Sequence, residues 1–144
     1  MTAVDASPYS VTALRRLPRQ RNLRVVATTV QDFEPETYDL VNAQYSLPFV
    51  PPARFVSTLE RLRESVRPGG VMAVTFFGKH DEWNTPGSQL TFSDRAQIES
   101  LFESWELVEI AEEEEDSQTA DGTPKHWHVF HVIARRTELL SGDP

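Results

Sequence analysis

Three features of this 144-residue chain predict an α/β fold built on a mostly parallel sheet. Short β-branched segments alternate with amphipathic ones through its first two thirds, the pattern that strand–helix–strand crossovers leave in a sequence. One segment, "VMAVTFF", is apolar at nearly every position, as a central strand covered by helices on both faces must be. The last two strand-like segments follow one another with no helix between them, so the closing strand runs antiparallel.

Each element has its own reason. "TAV" is a strand end, residues 5–7 a turn, Ser7 a helix N-cap and Pro8 a first helical residue, where its missing N–H costs nothing. Val11, Leu14 and Leu17 form one apolar stripe, and Pro18 stops that helix. "NLRVVATTV" reads as a strand ending near Gln31, "DFEPET" as a turn, "YDLVNA" as the next strand and "QYSLPFVPP" as a loop. Pro51 and Pro52 lead into the helix "ARFVSTLERLRESV", with Phe55, Val56, Leu59, Leu62 and Val66 on one face. "RPGG" ends it, because Pro68 cannot continue a helix and the glycines accept backbone angles that other residues avoid. After "VMAVTFF" comes the polar loop "GKHDEWNTPGSQL". A helix capped by Ser93 or Asp94 follows, carrying Ile98, Leu101 and Phe102, with Asp94 and Gln97 at capping-box spacing. "WELVEIAEEEED" is a strand running out into acid, "SQTADGTPK" a turn segment, "HWHVFHVIARR" the last strand and residues 137–144 a frayed tail. Only "DFEPET" separates the second and third strands, whereas adjacent parallel strands need a crossover of about a dozen residues. Those two strands are therefore not neighbours, and something lies between them.

Length and balanced composition give one domain, residues 1–136. Residues 1–72 carry nine basic and seven acidic groups, residues 73–144 five basic and fifteen acidic, which argues against a phosphate-binding groove in the second half. The arginines at 15, 16, 19, 21 and 24 are scattered over a helix and a loop and read as a solvated face, so no nucleic-acid partner is assigned. No cysteine is present, which excludes thiolate metal sites and a thiol nucleophile. No bilayer-spanning run or signal peptide is visible, so the expectation is a cytoplasmic protein with no membrane contact.

Taken together, "TAVDAS", "QDFEPETYDLVNAQYSLPFV", "LRESVRPGGVMAVTFFG" and "DGTPKHWHVFHVIARR" resemble the class I S-adenosylmethionine-dependent methyltransferases, most of all the small tellurite-resistance-type branch. The resemblance runs from Met1 to Arg136 and rests on the order and spacing of these motifs, of which "RPGG" before an apolar strand is the most telling. It implies a Rossmann-like seven-stranded sheet whose first strand, followed by a GxGxG loop, lies at the centre. This sequence has no such loop, and its "VDAS" strand matches the family's second, so the sheet is expected to be incomplete at the N-terminus. Burying the large apolar side chains of a central strand contributes roughly 1.5–3 kcal/mol each, against a whole-domain stability of roughly 5–15 kcal/mol. A homodimer, or a complementing N-terminal segment, is therefore expected.

The resemblance further implies S-adenosylmethionine as cofactor and a small-molecule methyl acceptor. Asp5, with Ala6 beside it, ends a strand where a carboxylate can accept both ribose hydroxyls; the alternative is that Asp5 belongs to the helix cap with Ser7. Gln31, Asp32 and Phe33 follow the next strand, Asp32 facing the adenine amino group and Phe33 packing on the ring, unless Asp32 is only a turn residue before Pro35. Ala43, Gln44 and Tyr45 end the third strand near the sulfonium, where Tyr45 offers a ring face or its oxygen, or simply fills a sheet edge. His80, Asp81 and Trp83 lie in the loop after the apolar strand, at the sheet edge where α/β folds bind ligands, and are the candidates for acceptor recognition, His80 and Trp83 foremost. No catalytic triad is needed for displacement at an already activated methyl group, and no catalytic residue is assigned. His126 and His128 share one face of the last strand and His131 the other, so three ligands do not converge from that strand alone and no metal site is assigned. The competing function is a non-catalytic, truncated domain kept for oligomerisation or partner binding. An NAD-dependent dehydrogenase fits poorly, because no hydride-transfer residues accompany the acid and the closing antiparallel pair is out of place.

Overall fold

The computed structural model describes residues 1–17 and 22–138; Pro18, expected to stop the first helix, and most of the expected tail lie outside the described residues. The chain divides into two compact units, Met1–Pro35 and Glu36–Pro144.

In the first unit, β1 (Thr2–Asp5) and β2 (Arg24–Ala27) form a parallel pair with α1 (Pro8–Arg16) between them in sequence. Asp5 is registered with Ala27, so both strands end at one edge. Pro8 opens α1 and Ser7 is its N-cap residue, as the sequence predicts, but the Ser7 hydroxyl makes no capping bond. The Ser7 N–H instead donates to Asp5 Oδ1 at 2.7 Å. Of the apolar stripe, Val11 is buried, Leu14 half-buried and Leu17 exposed, since Leu17 already sits at the C-cap. β2 ends at Ala27 rather than near Gln31. Thr29 Oγ1 donates to Asp32 Oδ2 at 2.7 Å and the Asp32 N–H to the Thr29 carbonyl at 3.2 Å, local bonds that compete with a strand ladder.

The second unit holds β3 (Tyr38–Ala43), a 3-10 turn (Leu47–Phe49), α2 (Pro52–Ser65), β4 (Val66–Gly78), β5 (Phe92–Ser93), α3 (Arg95–Leu101), β6 (Trp105–Gln118) and β7 (Pro124–Arg136). Its sheet runs β3-β4-β7-β6, with β5 also paired to β4. β3 and β5 are parallel to β4, and β7 is antiparallel to both β4 and β6, which gives the mostly parallel sheet with a reversed C-terminal strand. The two-residue β5, between the predicted loop and the α3 cap, is an element the sequence does not announce.

β4 begins immediately after α2, so "RPGG" is part of the strand rather than a separate turn. Between the pairs Tyr38↔Val66 and Leu40↔Val71 the two strands advance unequally, and the surplus residues of β4 form a bulge with Gly69 at φ +76°. From there Met72, Val74 and Phe76 point to one face, where Phe76 meets Phe55 of α2 at 6.1 Å and Phe102 at 6.3 Å, both edge-to-face. The other face is covered toward its C-terminal end by aromatic side chains rather than a helix: Phe77 contacts Phe49, Trp83 and Trp127.

The buried face of α2 is Phe55, Thr58, Leu59, Leu62 and Ser65, and Val56 is 53% exposed. The apolar stripe is thus rotated from the predicted one; Thr58 takes a core position, and the Ser65 hydroxyl tolerates burial by donating to the Leu62 carbonyl at 2.6 Å. α3 starts on the predicted capping box: Gln97 N–H to Asp94 Oδ1 at 2.8 Å and Asp94 N–H to Gln97 Oε1 at 3.0 Å. β6 and β7 outrun their predicted ends and shorten the turn to residues 119–123, because acidic side chains that stay in water cost an edge strand little.

A Cβ placed on Gly78 would overlap the buried imidazole of His128. Gly78→Ala should destabilise the protein by about 1–3 kcal/mol, read as a lowered urea midpoint with an unchanged m-value.

Candidate functional site

In the first unit the strand ends carry the acids. Asp5 is half-buried at the end of β1, and one of its oxygens holds the Ser7 N–H. That bond uses a single lone pair of a carboxylate that has about four, so acceptor capacity remains on Asp5. Ala6 is exposed beside it. Gln31 and Asp32 lie in the turn after β2, Asp32 held by Thr29, and the Phe33 side chain is buried with 8% exposure. A ring so covered presents little surface on which an adenine could pack.

In the second unit Ala43 is buried at the end of β3, and the Gln44 N–H donates to Asn42 Oδ1 at 3.2 Å. Tyr45 follows with φ +50°, a left-handed conformation costing a bulky residue on the order of 1–3 kcal/mol, and its side chain is half exposed. Its ring meets His131 edge-on at 5.8 Å. Tyr45, Glu113, Glu115, Ser117, Gln118 and Trp127 line a cavity of about 270 Å³. Partial burial, and then the charges of Glu113 and Glu115, push the Tyr45 hydroxyl above its ordinary pKa, so it remains a neutral donor. Among the cavity residues, only Tyr45 was singled out from the sequence. Glu113, Glu115 and Trp127 occupy alternate positions on two strands, a pattern that points to a shared face once the hairpin register is known.

The loop of residues 79–91 divides the predicted acceptor residues. Asp81 is not available to an acceptor, being buried at 3% exposure. Lys125 Nζ donates to both of its oxygens at 2.7 Å, and the Trp83 N–H (3.0 Å) and His128 N–H (3.3 Å) donate to it as well. The ammonium sits 3.5 Å from the Trp127 ring centroid and 4.2 Å from that of Trp83. Trp83 is therefore a wall of a closed aromatic cage. His80 is exposed and reaches Glu114 instead. On that opposite face of the hairpin His126 lies between Asp116 (2.8 Å) and Glu114 (3.1 Å), and His128 contacts Glu112 at 2.9 Å. The hydrogen bonds of these two carboxylates, Asp116 foremost, raise the His126 pKa above its ordinary value.

Parallel strands joined through helices, with a reversed last strand, are the class I methyltransferase type of α/β fold. The chain belongs to the methyltransferase domain family, whose model matches residues 1–74, just over half of it. TehB from Haemophilus influenzae superposes with a TM-score of 0.78 at 16% identity, over 94% of this chain and 49% of that one. The N-methyltransferase NodS from Bradyrhizobium japonicum WM9, solved in complex with S-adenosyl-l-homocysteine, gives 0.70 at 18% identity, over 95% and 66%. A 1,6-didemethyltoxoflavin-N1-methyltransferase from Burkholderia thailandensis gives 0.62 at 18%, over 95% and 61%. The chain thus spans about half the length of the TehB structure. No curated protein sequence matches it. No helix among the described residues is long and apolar enough to cross a membrane.

Asp81→Ala leaves the Lys125 charge buried and alone, and should cost about 3–5 kcal/mol in urea denaturation. Replacing both partners, Asp81→Leu with Lys125→Met, should recover much of that loss. Glu113→Gln with Glu115→Gln should lower the Tyr45 pKa, because tyrosinate no longer faces two negative charges; ultraviolet titration against a Tyr45→Phe control reads the shift.

Proposed function

We propose that the protein transfers a methyl group from S-adenosylmethionine to a small-molecule acceptor. The observation that carries the reading is Tyr45, held in a left-handed conformation at the end of a parallel strand with its ring over a cavity. Strain of that kind persists where the surrounding structure enforces it, and it clusters at ligand sites. The cofactor supplies a methyl group already activated by a positive sulfur, so the protein's task is alignment and exclusion of water.

The residues fit such a ligand. Asp5 keeps lone pairs for the ribose hydroxyls while its bond to Ser7 fixes the carboxylate. Asp32 and the Phe33 backbone border the adenine, with Gln31 and Ala6 flanking. In the second unit Gln44 and Tyr45, which follow the buried Ala43 at the end of β3, are the candidates for the methionyl part of the cofactor. The acceptor enters the cavity beside Tyr45, whose neutral hydroxyl donates a hydrogen bond to it, and Trp83 packs behind Trp127 of the cavity wall.

The proposal extends to assembly. Among the described residues β1 pairs only with β2 and β3 only with β4, so each keeps one unpaired ladder edge. Such edges accept a strand from a second copy or from a complementing N-terminal segment. They also favour a second reading, a non-catalytic module kept for that interface.

Titration calorimetry with S-adenosylhomocysteine separates the two. Binding is expected, weakened by about 10–100-fold in Asp5→Ala through loss of charge-assisted hydrogen bonds. No heat at millimolar ligand, together with a dimer in sedimentation, establishes the interface reading instead.

A further inference from the structure

The cavity beside Tyr45 carries charge of one sign. Glu113 and Glu115, two residues apart on β6, line it, and Tyr45 and Trp127 give it aromatic walls. Among the described residues no lysine or arginine lines it. Lys125 shares the Trp127 face of β7, but both oxygens of Asp81 hold its ammonium at 2.7 Å. Glu113 meets the His131 imidazole at 3.4 Å, and Glu115 makes no ion pair among the described residues.

An anion entering there faces both carboxylates, whereas a cation gains from them and from the aromatic rings. Their effect reaches Tyr45: partial burial first, and then these two charges, hold its hydroxyl in the neutral form. A hydroxyl accepts as well as donates, so the Tyr45 oxygen also takes an ammonium N–H. The chain itself holds one ammonium in this manner, since Lys125 Nζ stands 3.5 Å from the Trp127 ring centroid with a carboxylate beside it. At about 270 Å³ the cavity lies below the roughly 300–1,000 Å³ usual for ligand cavities, which restricts its occupant to a small molecule.

We propose that this cavity recognises a small organic ammonium ion and, resting on the transferase reading above, that the methyl acceptor is an amine. Glu113 and Glu115 supply the charge, Tyr45 and Trp127 the aromatic surface, and Ser117 and Gln118 further polar partners. For transfer, the ammonium releases one N–H proton to water. The freed lone pair bonds to the methyl carbon, the pair of the broken sulfur–carbon bond stays on sulfur, and the methylated nitrogen ends with the positive charge. The same carboxylates disfavour an anionic acceptor.

The probe is choline, set against dimethylbutanol, its uncharged carbon isostere, and dimethylbutyrate, an anion of similar shape. Each is titrated into the full chain and followed in ¹H–¹⁵N spectra of the tryptophan indoles, with Trp127→Phe assigning the Trp127 signal. Choline should shift that signal at millimolar concentration, the alcohol should bind at least about tenfold more weakly, and the anion should leave the signal in place. Glu113→Gln with Glu115→Gln should weaken choline by at least about tenfold and bring it level with the alcohol, urea midpoints verifying that the variant folds. No shift at millimolar choline, equal affinity for choline and the alcohol, tighter binding of the anion, or undiminished choline binding in the folded double variant overturns the assignment. The readout needs no cofactor. Choline binding without S-adenosylhomocysteine binding keeps the cation site and removes the transferase reading, whereas the reverse removes the amine acceptor alone.

Discussion

The larger unit depends on β4 being covered on every side. Its strand ladder reaches β3 and β5 through parallel pairs and β7 through an antiparallel one, and most of its side chains from Met72 to Phe77 are shut away from water. A strand apolar at consecutive positions has no solvent face, so both flanks must be supplied by other elements. On one flank α2 and the end of α3 meet Phe76. On the other, Phe77 collects Phe49, Trp83 and Trp127, and these aromatics draw the 3-10 turn and the loop of residues 79–91 onto the sheet.

That second flank explains why a polar loop is fixed in place. Asp81 receives Lys125, the Trp83 N–H and the His128 N–H, and the Glu82 N–H and carboxylate exchange bonds with the His126 backbone. Burying a lysine and an aspartate costs desolvation, which their mutual attraction offsets only when geometry and further hydrogen bonds are good. Here both conditions hold, and the aromatic rings around the ammonium add cation–π attraction. The net gain from such a pair is better understood as specificity of loop position than as stability.

Strand alternation then separates two chemistries on one hairpin. Glu113, Glu115 and Trp127 face the Tyr45 cavity, while Glu112, Glu114, Asp116, His126 and His128 face the opposite side. A slip of one residue in the β6–β7 pairing would exchange them. The turn that fixes this register is held by Thr119, Asp121 and Gly122, and hydrogen bonds from Thr119 and Thr123 push the Asp121 carboxyl down to about 2.

Much was legible in the sequence. Element order, the reversed last strand, the exact "YDLVNA" strand, the α3 capping box and the non-adjacency of the second and third strands all follow from local patterns, since caps, turns and hydrophobic periodicity act within a few residues. The strand-end residues Asp5 and Tyr45 were legible for the same reason. Only the tertiary structure decided that Asp81 is buried against Lys125, that Val56 is exposed while Thr58 is not, that "RPGG" bulges within β4, and that His80 joins His126 across Glu114. Each of these joins residues far apart in the chain or sets the rotation of a helix against its neighbours, and local sequence pattern carries neither quantity.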